Sequence, residues 1–437
     1  MTADTRPELR RTLGLWALVF YGVGDILGAG IYALVGQVAA VAGPASWAAF
    51  AVALGVASLT ALTYAELGGR FPKSAGESFF VRQAFGKSWL ALLVGWVVLC
   101  SGVLSLATVS VAFGGYMSGL VPALPSQAAT AGVLLLLAAI NFRGMRESST
   151  ANVIATMVEL TGLLIVIVAG ALFLGDSSAH ALEATFQAST SVGWTGIAQG
   201  AALGFFAFIG FEDMVNVAEE VKDPERNMPK AILIALGVTG IVYMAVVIIA
   251  TTVLSPEVLG ASEAPLLSVV ERSTDRVSPR AFSLIALFAV ANTGLLNFIM
   301  GSRLLYGMSR QGLLPSILGR VHSTRRTPEV AILVVLAVAM TLALSGTLRY
   351  LAGTTSLLLL LVFLSVHVSL LAIRRATDTP IRTFCAPRWV PLLGALSCIA
   401  LMPFVPSDSL LTAVVILALG GALILFGRRQ EPSARPD

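Results

Sequence analysis

Charge is what this sequence has least of. Of its 437 residues only 12% are Asp, Glu, Lys or Arg, where a soluble domain carries about 25%. Histidine and cysteine are scarcer still, at three each. Cys100 and Cys398 stand in apolar runs and Cys385 in a basic loop, so neither a disulfide framework nor a metal-ligand spacing is visible. Long polar stretches are missing, which leaves no room for a soluble catalytic domain of about 50 residues or more. An intramembrane enzyme would need a nucleophile–base pair or a metal cluster at membrane depth, and His367 is the only histidine in an apolar run. A channel would need a filter-like repeat, and none is present.

What is there is apolar: 57% of the residues are hydrophobic, with a mean hydropathy of +0.87. Runs bounded by charge or proline give twelve spans, roughly 13–42, 46–68, 88–121, 126–142, 150–174, 193–217, 229–254, 280–308, 328–345, 349–373, 389–405 and 409–427. The first run is too long for a cleavable signal peptide and leads directly into the multi-span pattern. The net charge of +4 is a topology signal and not a nucleic-acid patch. With the N-terminus placed in the cytoplasm, 24 of the 28 Lys and Arg fall in inside loops or tails, and only Arg272, Arg276, Arg280 and Arg349 fall outside. That asymmetry obeys the positive-inside rule and supports an even number of spans, with both termini cytoplasmic. Trp16, Trp47, Trp89, Trp194 and Trp389 fall near span ends, where interfacial anchors belong.

Two spans are interrupted. The first carries Tyr21-Gly22-Val23-Gly24-Asp25-Ile26-Leu27-Gly28-Ala29-Gly30-Ile31-Tyr32 inside a run from Leu13 to Ala42. A straight helix rising about 1.5 Å per residue needs only about 20 residues to cross the hydrocarbon core. The surplus, four glycines and a carboxylate read as a broken helix whose free backbone groups face something polar. A glycine-rich packing face is the plain alternative. The sixth span repeats the combination, Gly204-Phe205-Phe206-Ala207-Phe208-Ile209-Gly210-Phe211-Glu212-Asp213. Five spans separate the two, and five is odd, so the second unit enters the membrane from the opposite side. Interrupted helices at matching positions of two five-span halves are the sign of an inverted-repeat transporter, and favour the broken-helix reading.

Carboxylates inside apolar runs are functional-site candidates by default. Helical rise places Asp25 near the midplane and Glu159 in the cytoplasmic half of the fifth span. Glu212 and Asp213 lie late in the sixth. The structural alternative for each is bonding to backbone N–H groups exposed at a helix break, and it is strongest for Asp25. Glu159 has no glycine break to cap, so a proton-coupling or cation-coordinating role is expected, and burial favours proton binding. Asp213 reads as snorkelling to the cytoplasmic side. His367 reads as a hydrogen-bonded packing residue. Asn292, Thr293 and Asn297 on the eighth span fit either interhelical glue or substrate contacts.

Four ordered stretches carry a family resemblance. They are Gly28-Ala29-Gly30-Ile31-Tyr32; Tyr64-Ala65-Glu66-Leu67 through Arg70-Phe71-Pro72 to Arg82-Gln83-Ala84-Phe85-Gly86; Phe208-Ile209-Gly210-Phe211-Glu212 with Ala218 through Pro229; and Ser302 through Pro315. Together they resemble the amino acid–polyamine–organocation superfamily of secondary transporters, over most of the chain. The resemblance implies an all-α, twelve-helix, LeuT-like 5+5 inverted repeat. In it, residues 13–174 form the first five-helix repeat, 193–373 the second, 389–427 two extra helices, and 1–12 and 428–437 cytoplasmic tails. It also implies an α-amino acid site at the two breaks. Amides around Gly28, Ala29 and Gly30 would bind the substrate carboxylate, and carbonyls of Ile26, Phe206 and Ile209 its ammonium group. Ala207 belongs to the same stretch, and Phe206 would close the site as a lid. Ser101, Gly102, Ser105 and Asn297 would line the side-chain subsite.

Two positions depart from that pattern. Glu159 stands about where proton-coupled and sodium-independent relatives often carry a lysine that substitutes for sodium. A carboxylate there suits a proton, a sodium ion or a cationic substrate group instead. Asp25 replaces what is commonly a neutral residue. Asp25, Glu159 and Glu212 make an acidic cavity that tilts towards cationic amino acids or polyamines, unless all three are protonated.

The expected function is therefore a plasma-membrane amino acid carrier working by alternating access, proton-coupled or exchanging. Glu159 would couple, and Glu212 would gate or titrate second. A polyamine or organocation carrier and a sodium-coupled symporter are the alternatives. No cofactor, metal or obligate protein partner is called for. The partners expected are a small-molecule substrate and the lipid bilayer.

Overall fold

The computed structural model of the chain describes residues 11–73, 76–144, 149–175, 178–310, 314–325, 327–376 and 384–427. Most of both expected tails lies outside that set, as do Arg146, Arg326, Arg382 and the stretch Gln311 to Leu313.

The first apolar run divides at Gly28 into α1 (Leu15–Leu27) and α2 (Ala29–Ala42). A short turn at Gly43–Ala45 leads to α3 (Ser46–Arg70), followed by α4 (Gly76–Phe85), α5 (Ser88–Leu120), α6 (Ser126–Arg143), α7 (Ser149–Leu174) and α8 (Ser178–Ser189). In the second interrupted run α9 (Trp194–Gly204) gives way to 3-10 segments at Phe205–Phe208 and Phe211–Glu220. Then come α10 (Pro224–Val253), α11 (Pro256–Ala261), α12 (Pro265–Ser273), α13 (Pro279–Arg310), α14 (Glu329–Ser345), α15 (Leu348–Ala376), α16 (Val390–Leu401) and α17 (Ser407–Gly427). The fold is all-α. Among the described residues the only extended pairing is an isolated bridge between Leu13 and Val221.

Among the described residues nine stretches are long and apolar enough to cross a membrane, and the helices at Glu329–Ser345 and Val390–Phe404 are apolar but shorter. The first stretch, Leu15–Arg70, holds two of the expected spans, so the helices account for all twelve. Boundaries differ from the sequence reading where local chemistry acts. α10 starts at Pro224 and not near 229, because proline fits a first helical turn, whose leading N–H groups are unpaired anyway. α6 stops at Gly144, which takes a left-handed φ of +77°. Helices α4, α8, α11 and α12 lie between spans and add structure the apolar pattern does not announce.

Burial sorts the spans. In the most apolar window of each, 76% of Leu15–Arg70 and 78% of Trp194–Glu220 is buried, against 17% of Ser407–Leu425. The interrupted runs are thus central, which is what unpaired backbone at membrane depth requires. On the outside, α17 turns Leu411, Val414 and Leu419 outward, and α16 Leu392 and Leu396. Trp16, Trp89, Trp194 and Trp389 are exposed as interfacial anchors should be. Trp47 instead packs edge-on against Phe186 and donates its indole N–H to Ser189 Oγ at 3.3 Å.

Two polar clusters tie spans together. His367 is fully buried, with Nδ1 2.9 Å from Thr63 Oγ1 and Nε2 3.2 Å from Thr60 Oγ1. Gly394 leaves room for its ring, since a Cβ there would lie 2.1 Å from Cε1. Glu66, also fully buried, receives the Nε (3.0 Å) and a terminal nitrogen of Arg374, Arg70 at 2.5 Å and the Ala386 N–H at 2.8 Å. The end of α3 is thereby joined to α15 and to the segment leading into α16.

Candidate functional site

The two interrupted runs meet each other. A Cβ on Gly30 would lie 2.5 Å from Ala207 Cα, and one on Gly210 would lie 2.8–2.9 Å from the backbone of Asp25 and Ile26. These are backbone-to-backbone approaches, which only glycine allows. Gly210 also takes φ +129°, a conformation other residues rarely adopt. The ends are strapped as well: the N–H groups of Thr12 and Leu13 donate to the Glu220 carbonyl at 2.9 and 3.0 Å, and Lys222 N–H returns 2.8 Å to the Leu13 carbonyl.

The first break is a single residue. Gly28 has φ −51° and ψ −143°, and α2 begins directly after it. A Cβ on Gly28 would sit 1.9 Å from Thr293 Oγ1, so that hydroxyl from α13 lies against the break. The second break is longer. Ile209 is extended, and its N–H reaches back 3.3 Å to the Phe206 carbonyl. The Gly210 N–H donates 2.8 Å to Glu212 Oε2. Glu212 therefore holds a backbone N–H at the start of the second 3-10 segment, the structural alternative that the sequence offers for a carboxylate at a break. Phe206 and Ala207 are 5% and 1% exposed, so this part of the site is closed.

A carbonyl offers two lone pairs, and at Ile26 one is taken: the Tyr243 hydroxyl of α10 donates to it at 2.5 Å. Tyr32 of α2 donates to the Glu159 carbonyl at 3.0 Å, and Tyr116 of α5 donates to the Tyr32 carbonyl at 3.1 Å. All three tyrosines are fully buried. Sequence reading passes over them, although a phenol in an apolar span needs a partner and is a signal for one.

Glu159 lies on the uninterrupted helix α7 and is fully buried. Asn292 Nδ2 of α13 donates to its Oε1 at 3.0 Å, and its Oε2 has no hydrogen-bond partner among the described residues. Asn292 and Thr293 are consecutive, so one turn of α13 touches both Glu159 and Gly28. Ser105 and Asn297 are also brought together, Nδ2 to Oγ at 3.1 Å across α5 and α13. Ser101 is buried and spends its hydroxyl on the Val98 carbonyl of its own helix, at 2.8 Å. Asp25 is half-buried beneath Gly210. Asp213 accepts from Asn216 Nδ2 at 3.1 Å. The structure thus gathers Ile26, Gly28, Gly30, Ala207, Gly210 and, through α13, Glu159. A cavity of about 320 Å³ opens elsewhere, between the end of α2 and α11, bordered by Gly43, Val192 and Glu257.

Comparison with known proteins gives one family. The sequence profile described as amino acid permease matches residues 13–426. An uncharacterized transporter of Mycobacterium tuberculosis is 32% identical, covering 96% of this chain and 92% of its own length. The branched-chain amino acid permease BcaP of Bacillus subtilis is 27% identical over 97% of this chain and 94% of its own. Cationic amino acid transporter 4 of Mus musculus is 32% identical over 88% of this chain and 63% of its own.

Proposed function

Because the chain belongs to the amino acid permease family, we propose that it carries an α-amino acid across the plasma membrane by alternating access, coupled to protons through Glu159. The substrate carboxylate binds the amides that begin α2 at Ala29 and Gly30, where the helix dipole is positive. The ammonium group binds the remaining lone pair of Ile26 and the carbonyls of Phe206 and Ile209, and Phe206 closes over it. Ser105 and Asn297 border the side chain. One relative, from Bacillus subtilis, is named a methylthioribose transporter; the amino acid carriers among the relatives point two ways, branched-chain and cationic. The α-amino and α-carboxyl groups are common to both, and those are what two broken helices can bind.

The architecture that goes with this reading is two inverted five-helix repeats, 13–174 and 193–373, with residues 389–427 added. Both termini face the cytoplasm. The breaks at Gly28 and at Ile209–Gly210, five spans apart and in contact, support it.

The observation that carries the coupling role is the Glu159 carboxyl: fully buried, with one amide donor on Oε1 and, among the described residues, no hydrogen-bond partner on Oε2. An ionised carboxylate so placed is costly, so it holds a proton or a cation. Its open oxygen also favours a second reading, sodium as the coupling ion. The test is uptake into proteoliposomes of a labelled amino acid panel with putrescine, under a pH gradient, a sodium gradient or neither. Accumulation driven by pH alone supports the proposal. Accumulation that requires sodium transfers Glu159 to the second reading. Flux of putrescine and of no amino acid would overturn the substrate class.

A further inference from the structure

A second pair of buried carboxyls lies where α4 covers the second break. Glu77, the second residue of α4, and Glu212 are each only 5% exposed. The Tyr64 hydroxyl of α3 donates to Glu77 Oε1 at 2.9 Å, and Glu212 Oε2 holds the Gly210 N–H. Tyr64 bridges the two: its hydroxyl holds Glu77, and its ring packs edge-on against Phe211, the residue before Glu212, with centroids 5.7 Å apart. Among the described residues, the other charged or titratable groups acting on the pair are Tyr64 and Asp213. Among the described residues neither carboxyl has an ion-pair partner. Phe80, Phe211 and Phe363, from α4, the 3-10 segment and α15, pack edge-on around the Tyr64 ring. Gly76 sits over Val215 and Asn216 of the 3-10 segment.

Two enclosed carboxylates without a cation cannot both stay ionised at low cost. Their donors are neutral, Tyr64 and its own backbone N–H for Glu77 and the Gly210 N–H and its own for Glu212, and none carries a charge to offset that of the other carboxyl. We propose that Glu77 and Glu212 form a proton-dependent latch: a proton held by the pair keeps α4 seated on the second break, and its loss lifts α4 and opens that break. This rests on the alternating-access reading above and adds a control separate from Glu159. Burial pushes the Glu77 carboxyl above the usual carboxylate range in the seated form, against smaller lowering effects of its own backbone N–H and of Tyr64. Once lifted, Glu77 returns to an ordinary value near 4.3. The seated form therefore binds more protons. It is favoured at low pH, and that advantage fades as pH rises through the seated-state value.

Val215 is fully buried beneath Gly76 and Gly68, so a cysteine in its place reports lifting of α4. The experiment measures the rate at which an impermeant maleimide labels Val215→Cys in full-length protein carrying Cys385→Ser. The rate is divided by that of the exposed Cys385, measured at the same pH in protein that keeps it and has Val215 unchanged, which corrects for the pH dependence of thiol reactivity. From about pH 5.5 to about pH 8 the ratio should rise at least about five-fold, as expected for release of a buried carboxyl. Adding Glu77→Gln, which keeps the position neutral, should hold the ratio low throughout. Tyr64→Phe removes a donor that favours the ionised form, so it should move the rise to higher pH. A flat ratio in the parent, or an unchanged rise with Glu77→Gln, overturns the latch. Should Glu77→Gln not fold, Tyr64→Phe decides: an upward shift supports the latch and an unchanged midpoint overturns it. No substrate is added, so failure here is distinct from failure of the amino acid reading.

Discussion

The hydroxyl of Tyr243 meets the carbonyl of Ile26 at 2.5 Å, 217 positions away in sequence. One carbonyl of the broken helix is thus aimed by a side chain from α10, and the proposed substrate ammonium would use its second lone pair. Tyr243→Phe keeps the ring and its 5.3 Å contact with Phe208, and deletes only the donor. A lost hydrogen bond in a buried site is worth about 1–2 kcal/mol, so KM for the transported amino acid should rise on the order of ten-fold. Maximal exchange rate should change less. Equal loss in both terms would assign Tyr243 to the conformational step instead of to binding.

Glycine at the contact between the breaks allows a sharp contrast. Gly210→Ala places a methyl 2.8–2.9 Å from the Asp25–Ile26 backbone at φ +129°, and Gly30→Ala places one 2.5 Å from Ala207 Cα. Neither neighbour is a flexible side-chain end, so both variants should lose transport while still inserting in the membrane. Gly55→Ala meets nothing within 4 Å, and as a helix interior position should gain up to about 1 kcal/mol. Uptake and thermal midpoint for the three, measured side by side, check the ranking. Activity in Gly210→Ala would mean the breaks separate more readily than their contact suggests.

This contrast also marks what could be read from sequence. The broken helices were legible because glycines and carboxylates interrupt long apolar runs, and Glu159 because a charge in such a run has few ordinary explanations. The contacts were not. Gly210 against Asp25, Tyr243 on Ile26 and Glu77 under Tyr64 join residues from different helices, and hydrophobic periodicity carries no information about which helices touch. Glu212 shows the other limit. Its capping bond to the Gly210 N–H depends on an extended Ile209, a local conformation that the apolar pattern does not encode.

Glu159→Gln preserves shape and removes the ionisable proton. The variant should keep counterflow exchange and lose accumulation driven by an inward pH gradient. Asn292→Ala removes the one donor to the carboxyl found among the described residues and should change the pH profile of uptake. Unchanged accumulation in Glu159→Gln would remove it from coupling. An unshifted profile in Asn292→Ala would leave that side chain a packing role only.

Glu66 tests whether stability and transport separate. It is fully buried and joins Arg374, Arg70 and the Ala386 N–H, so α3, α15 and the segment before α16 converge on one carboxylate. Removing one side of a buried pair leaves the other uncompensated, at about 3–5 kcal/mol where water is excluded. Arg374 and Arg70 are 17% and 10% exposed, which lets water screen them and lowers that figure. Arg374→Met leaves Glu66 two donors, whereas Glu66→Ala strands two arginines and a backbone N–H. The thermal midpoint in detergent should therefore fall most for Glu66→Ala, less for Arg374→Met and least for Arg70→Met. Since none of the three touches the breaks, KM in the folded fraction should stay near wild type. A raised KM in Arg374→Met at unchanged midpoint would instead make this cluster part of the moving machinery.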